Sequence, residues 1–111
     1  MPPNLSEKAA RFWRDVVANY TLRPDELRIL EDACREIDLI ELLRKGMAGQ
    51  PLYMKGSMGQ SVINPVVPEI RQHRATFASL VKQLALPEPG APEEPRSTRA
   101  RSAANARWGK P

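Results

Sequence analysis

Four places in this 111-residue chain carry side chains of types that do chemistry. The first is Lys55-Gly56-Ser57-Met58-Gly59, a lysine beside two glycines and a serine, the composition of loops that cradle phosphate. Such a loop binds an anion when a strand precedes it and a helix N-terminus follows directly, so that amide N–H groups and the helix dipole converge. Here the glycines are followed by Gln60-Ser61-Val62-Ile63, a strand-like run, and the spacing G-x-x-x-x-G-K-S/T is missing. The loop reads as a hairpin turn.

The second place is a set of acids: Asp25, Glu26, Glu31, Asp32, Glu36, Asp38 and Glu41. Paired carboxylates serve acid–base catalysis, but these alternate with Arg28, Arg35 and Arg44 at helical spacing, the pattern of a solvated helix face. The third is His73, which lacks a serine or cysteine partner at any motif spacing. The fourth is Cys34, which falls on an apolar helical stripe and reads as a small core residue. One cysteine and one histidine do not supply a structural metal site. The residues therefore predict a protein that is not an enzyme and uses no cofactor or metal.

Charge points elsewhere. The chain has a formal net charge of +4 and a pI near 9.6, which favours an anionic partner. Residues 1–86 hold twelve Lys and Arg against ten Asp and Glu. Residues 95–111 carry Arg96, Arg99, Arg101, Arg107 and Lys110 and no acid. The tail holds the excess. Lys8, Arg11 and Arg14 form a second basic group on one helical face, suited to phosphate contacts that position without reading sequence. In the tail, arginines interleaved with small residues and Trp108 suit an arm that orders on binding nucleic acid.

The elements that would position these groups follow from periodicity and caps. Asn4-Leu5-Ser6-Glu7 marks a helix start, and Leu5, Ala9, Phe12, Trp13, Val16 and Tyr20 share one face, predicting a helix over about 6–19. Pro24, Asp25 and Glu26 open a second helix over about 24–46, stopped by Gly46 and Gly49. Its main stripe is Leu27, Leu30, Ala33, Cys34, Ile37, Ile40 and Leu43. Ile29, Leu39 and Leu42 lie off that stripe and are expected to meet another copy of the chain. Leu52–Lys55 and Gln60–Ile63 predict a small hairpin whose Leu52, Met54 and Ile63 lean on the core or on a neighbour. Asn64 and Pro65 launch a third helix ending near Leu86, with Pro68 tolerated in its first turn.

The expected fold is thus mainly α: three helices with a β-hairpin between the second and third. Residues 1–86 form the oligomerising and DNA-engaging core. Residues 87–111 form a proline-rich linker and a flexible basic tail. No run is apolar enough to span a membrane, and the N-terminus lacks a signal peptide, so a cytoplasmic protein is expected.

This order of elements resembles the small subunit of a tailed-phage terminase, from the branch with a helical core and a small hairpin. The resemblance covers about residues 5–86. It rests on LSEKAARFWRDVVANYTLRPDELRILEDACREID, where a helix with a central Trp leads to a second beginning Pro-Asp-Glu, and on VINPVVPEIRQHRATFASLVKQL, where the hairpin closes in Asn-Pro. Such proteins commonly follow the third helix with Gly-Leu-Thr-Pro and a further basic stretch; here Leu84-Ala85-Leu86-Pro87 leads into the proline linker. The resemblance implies a non-catalytic packaging factor in the host cytoplasm. It would form a cyclic homo-oligomer, bind double-stranded viral DNA and regulate the ATPase–nuclease large subunit. A small basic DNA-binding regulator and a virion structural adaptor are the alternatives. The first would show a compact helix-turn-helix, which the long hairpin connection opposes.

Overall fold

The computed structural model describes residues 1–88. Within them, three helices and one hairpin follow in the order α1 (Glu7–Asn19), α2 (Pro24–Met47), β1 (Tyr53–Lys55), β2 (Ser61–Ile63) and α3 (Val66–Leu84). The basic tail residues Arg96, Arg99, Arg101, Arg107 and Lys110, with Trp108, lie outside the described residues.

Each helix begins for a local reason. Ser6 caps α1, its hydroxyl accepting the Ala9 N–H at 3.2 Å, which satisfies one of the four amides a helix start leaves free. The same residue ties α1 to α2: its own N–H donates to Asp38 Oδ2 at 3.1 Å, and its hydroxyl donates to Asp38 Oδ1. Pro24 starts α2, where its missing N–H costs nothing. Glu26 reaches back to accept the Arg23 N–H at 3.0 Å. That bond, with the Arg23 guanidinium 3.6 Å away, partners a carboxylate that is otherwise buried.

The hairpin is antiparallel, with Tyr53 opposite Ile63, Met54 opposite Val62 and Lys55 opposite Ser61. Its base is held by one residue. The Asn64 N–H donates to the Leu52 carbonyl at 2.7 Å, its side-chain amide donates to the Pro51 carbonyl at 3.1 Å, and its Oδ1 accepts the Val66 N–H at 3.1 Å. Asn64 thus closes the hairpin and starts α3 in one step. Pro68 falls in the first turn of α3, and the helix stops at Ala85, which turns left-handed at φ 48°.

Helix α2 packs against both α1 and α3. The buried cluster consists of Ala9, Val16, Leu30, Cys34 and Leu84, with Leu5, Phe12, Trp13, Tyr20, Leu22, Ile29, Ile37 and Leu86 half-buried around it. Phe12 and Phe77 bring α1 to α3 with ring centroids 5.7 Å apart and planes tilted by 57°, an arrangement aromatic quadrupoles favour. The Tyr20 hydroxyl donates to the Pro87 carbonyl, so the segment leaving α3 returns to the end of α1.

The hairpin stands apart from this core. Leu52, Met54 and Ile63 are all exposed, as are Tyr53 and Met58. Of the two supports expected for its apolar face, the core of the same chain is therefore not one.

Leu30 is fully buried at the centre of the cluster. Leu30→Ala is expected to lower stability in urea unfolding by about 2–5 kcal/mol, through lost burial and the cavity left behind. Val17→Ala, at an exposed position of α1, should stay within about 0.5 kcal/mol.

Candidate functional site

The glycine loop does not form an anion cradle. The Gly56 N–H donates to the Gln60 carbonyl at 2.7 Å and the Gly59 N–H to the Gly56 carbonyl at 3.0 Å. The Met58 N–H donates to Gln60 Oε1 at 3.0 Å. Three amides of the turn are thus already bonded inside it, and a strand follows. Gly59 sits at φ +80°, the left-handed region that side chains avoid. A Cβ on Gly56 would lie 2.6 Å from the Gln60 side chain.

The acids of α2 are paired as the spacing predicts. Arg35 lies 3.3 Å from Glu31, Arg28 lies 3.8 Å from both Glu31 and Asp32, and Arg44 lies 3.5 Å from Glu41. The Arg23 hydrogen bond holds the Asp25 carboxyl below its usual range, and the Lys8 hydrogen bond does the same for Glu41. Both stay ionised at neutral pH, the wrong state for a general acid.

His73 has the partner that spacing did not reveal. Its Nδ1 lies 2.7 Å from Glu36 Oε2 on α2, and its Nε2 lies 3.6 Å from Glu69 one turn earlier on α3. No serine or cysteine is bonded to it among the described residues, and it works as a tie between α2 and α3. Groups of three or more ligating side chains able to hold a metal ion are absent among the described residues. No described helix is long and apolar enough to cross a membrane.

The remaining candidates are surfaces. On α1, Lys8 Nζ lies 2.9 Å from Glu41 and Arg14 lies 2.7 Å from Glu7. Arg11 has no carboxylate partner among the described residues. The helix trio thus faces solvent, with two of its cations already bridged to acids of the same chain. Exposed bridges of this kind are weak and exchange readily with a competing anion.

The apolar trio of α2 is divided. Ile29 is half-buried against the core cluster, whereas Leu39 is 40% and Leu42 66% exposed. The C-terminal half of α2 and the hairpin that follows it together carry Leu39, Leu42, Leu52, Tyr53, Met54, Met58 and Ile63 in contact with water. Met58, at the hairpin tip, is 89% exposed. Scattered apolar residues are ordinary on a protein surface, but a two-stranded hairpin with most of its apolar side chains in water is not self-supporting. No protein-family model, curated protein or solved structure matches this chain.

Desolvation, reinforced by the Asp38 charge, pushes the buried Cys34 thiol up to about 11 from an ordinary 9.0. Between these values the folded thiol keeps a proton that the unfolded one loses, so stability should fall as pH rises from about 9 to 11. A thiol reagent at pH 8 should label Cys34 only as fast as the fold opens, and at once in urea. Replacing Gly56 and Gly59 together by valine should abolish amide protection in the hairpin while leaving the far-UV helix signal intact. An unchanged exchange pattern would contradict the role given to these glycines.

Proposed function

We propose that this chain is the non-catalytic small subunit of a viral DNA-packaging terminase, acting in the host cytoplasm. In this reading it forms a cyclic homo-oligomer, engages double-stranded viral DNA and regulates the large ATPase–nuclease subunit. The observation that carries the reading is the exposed hairpin between α2 and α3, closed by Asn64-Pro65, the feature on which the family resemblance rests. Its apolar side chains, together with Leu39 and Leu42, are stabilised when a second copy covers them. A head-to-tail contact of that kind closes into a ring when its rotation divides a full turn.

DNA engagement draws on Lys8, Arg11 and Arg14 of α1 and on Arg96, Arg99, Arg101, Arg107 and Lys110 of the basic tail. Contacts of this type neutralise phosphates and release condensed counterions. A virion structural adaptor is the second reading. It is favoured by the pairing of Lys8 with Glu41 and of Arg14 with Glu7, because an adaptor shares the exposed apolar surfaces and needs no DNA affinity.

Co-purification with a large ATPase–nuclease, and stimulation of its ATP hydrolysis, is the deciding experiment. A packaging factor gives both, and an adaptor gives neither. Light scattering on the eluted protein should give a mass several times that of one chain, reduced by Leu39→Ser with Leu42→Ser. A monomer at tens of micromolar would remove the ring from the reading. Deleting residues 95–111 should weaken duplex binding and lower the salt slope by about 0.9 for each phosphate left unneutralised.

A further inference from the structure

Helix α3 presents a second basic surface that the charge pattern along the chain conceals. Its inner side carries Leu84, which is buried, and Phe77, Leu80, Val81 and His73, which are half-buried. Beside that inner side, Arg71, Arg74 and Lys82 are exposed. At 100° per residue these three fall within an arc of about 80°. Ala75, Ala78 and Ser79 lie between and beside them, and all three are exposed.

The pairing state of these cations distinguishes them. Among the described residues, the side chains of Arg71, Arg74 and Lys82 make no ion pair or hydrogen bond. The only acid of α3, Glu69, turns instead toward His73, at 3.6 Å from its ring. On α1, by contrast, Lys8 and Arg14 are bridged to Glu41 and Glu7. Before any ligand displaces a bridge, free positive charge is therefore denser on α3 than on α1.

The geometry points to the outer face of α3 as a docking surface for the phosphate backbone of duplex DNA, through Arg71, Arg74 and Lys82. The proposal takes from the packaging reading only the nature of the polyanion. Three features fit that occupant. With a rise of 1.5 Å per residue, Arg71 to Lys82 spans about 16 Å, long enough to follow several phosphates of one strand. The alanines and serine between the cations are small, so a smooth polyanion can approach the helix closely. Nor does the face offer a large apolar or aromatic anchor, the element on which protein docking sites depend. The face therefore suits positioning contacts rather than base reading.

The test uses the full chain and a fluorescent duplex of about 30 base pairs of random sequence, with affinity measured between about 50 and 200 mM salt. The variant combines Arg71→Gln, Arg74→Gln and Lys82→Gln, all at exposed positions, with far-UV circular dichroism to verify the helices. Leaving three phosphates unneutralised should lower the log–log salt slope by about 2 to 3 and weaken binding about 10- to 500-fold at 0.1 M salt. Arg71→Lys with Arg74→Lys should preserve the slope, since charge and not fork geometry acts on phosphate. Neutralising Lys8, Arg11 and Arg14 should change the slope less than the α3 variant does.

If the wild type binds DNA and the α3 variant binds with the same affinity and slope, the α3 surface is overturned while DNA engagement stands. Failure of the wild type to bind duplex at all overturns both. A third arm uses poly-glutamate. If it binds the wild type as tightly as DNA and loses affinity equally in the α3 variant, the face is a site for acidic protein, and the DNA assignment is wrong.

Discussion

Cys34 and Ala9 are small enough for α1 and α2 to approach until the Cys34 Sγ lies 3.5 Å from the Ala9 carbonyl oxygen. Ala33 beside Cys34 is equally buried. This close approach lets Val16, Leu30 and Leu84 meet in one dry cluster. Without it the larger side chains would stand too far apart to exclude water. Because the contact relies on small residues, it cannot absorb a larger one without moving the helices. The remaining architecture is referred to α2, which alone packs extensively against both of the other helices.

A core of this size is modest. The chain adds polar ties at its margins, where long-range hydrogen bonds fix one helix against another. Asp38 holds the start of α1 through Ser6, Arg35 reaches the Pro3 carbonyl at 2.8 Å, and Glu36 meets His73 across α2 and α3. Asn64 does comparable work for the hairpin, with three bonds that join Pro51, Leu52 and Val66. Its burial is tolerable because its side-chain donor and acceptor are both used. The hairpin therefore has a firm base and an unsupported tip, the arrangement of an arm that presents side chains outward.

Charge divides the surface in a way that composition does not. The described residues are nearly neutral in sum, yet the acids crowd onto α2, where they take up Lys8 of α1 and Arg28, Arg35 and Arg44 of α2 itself. Helix α3 has a single acid, and that acid faces histidine. Positive charge is therefore left over on α3 not because the helix is rich in cations but because its neighbours' carboxylates are engaged elsewhere. Each exposed bridge on α1 stabilises the fold only slightly. Together they still decide which face meets an anion first.

Much of the architecture was legible in the order of residues. The stripe Leu5, Ala9, Phe12, Trp13, Val16 and Tyr20 is the buried side of α1, Pro24 opens α2, Pro68 lies in the first turn of α3, and the glycine run turns a hairpin. Each of these depends on residues within a few positions of one another, where periodicity, caps and turn preferences act. The sites were less legible. Ile29 reads as a residue left over for a neighbour, and in the folded chain it is half-buried against the core cluster. Leu52, Met54 and Ile63 read as a face seeking support, and the folded chain leaves them in water. Lys8 finds Glu41 33 positions away, and His73 finds Glu36 37 positions away. Local spacing by itself determined which residues are helical and which side of each helix is apolar. Only the tertiary structure decided which charges neutralise one another, because that depends on which two faces meet and not on the distance between residues along the chain.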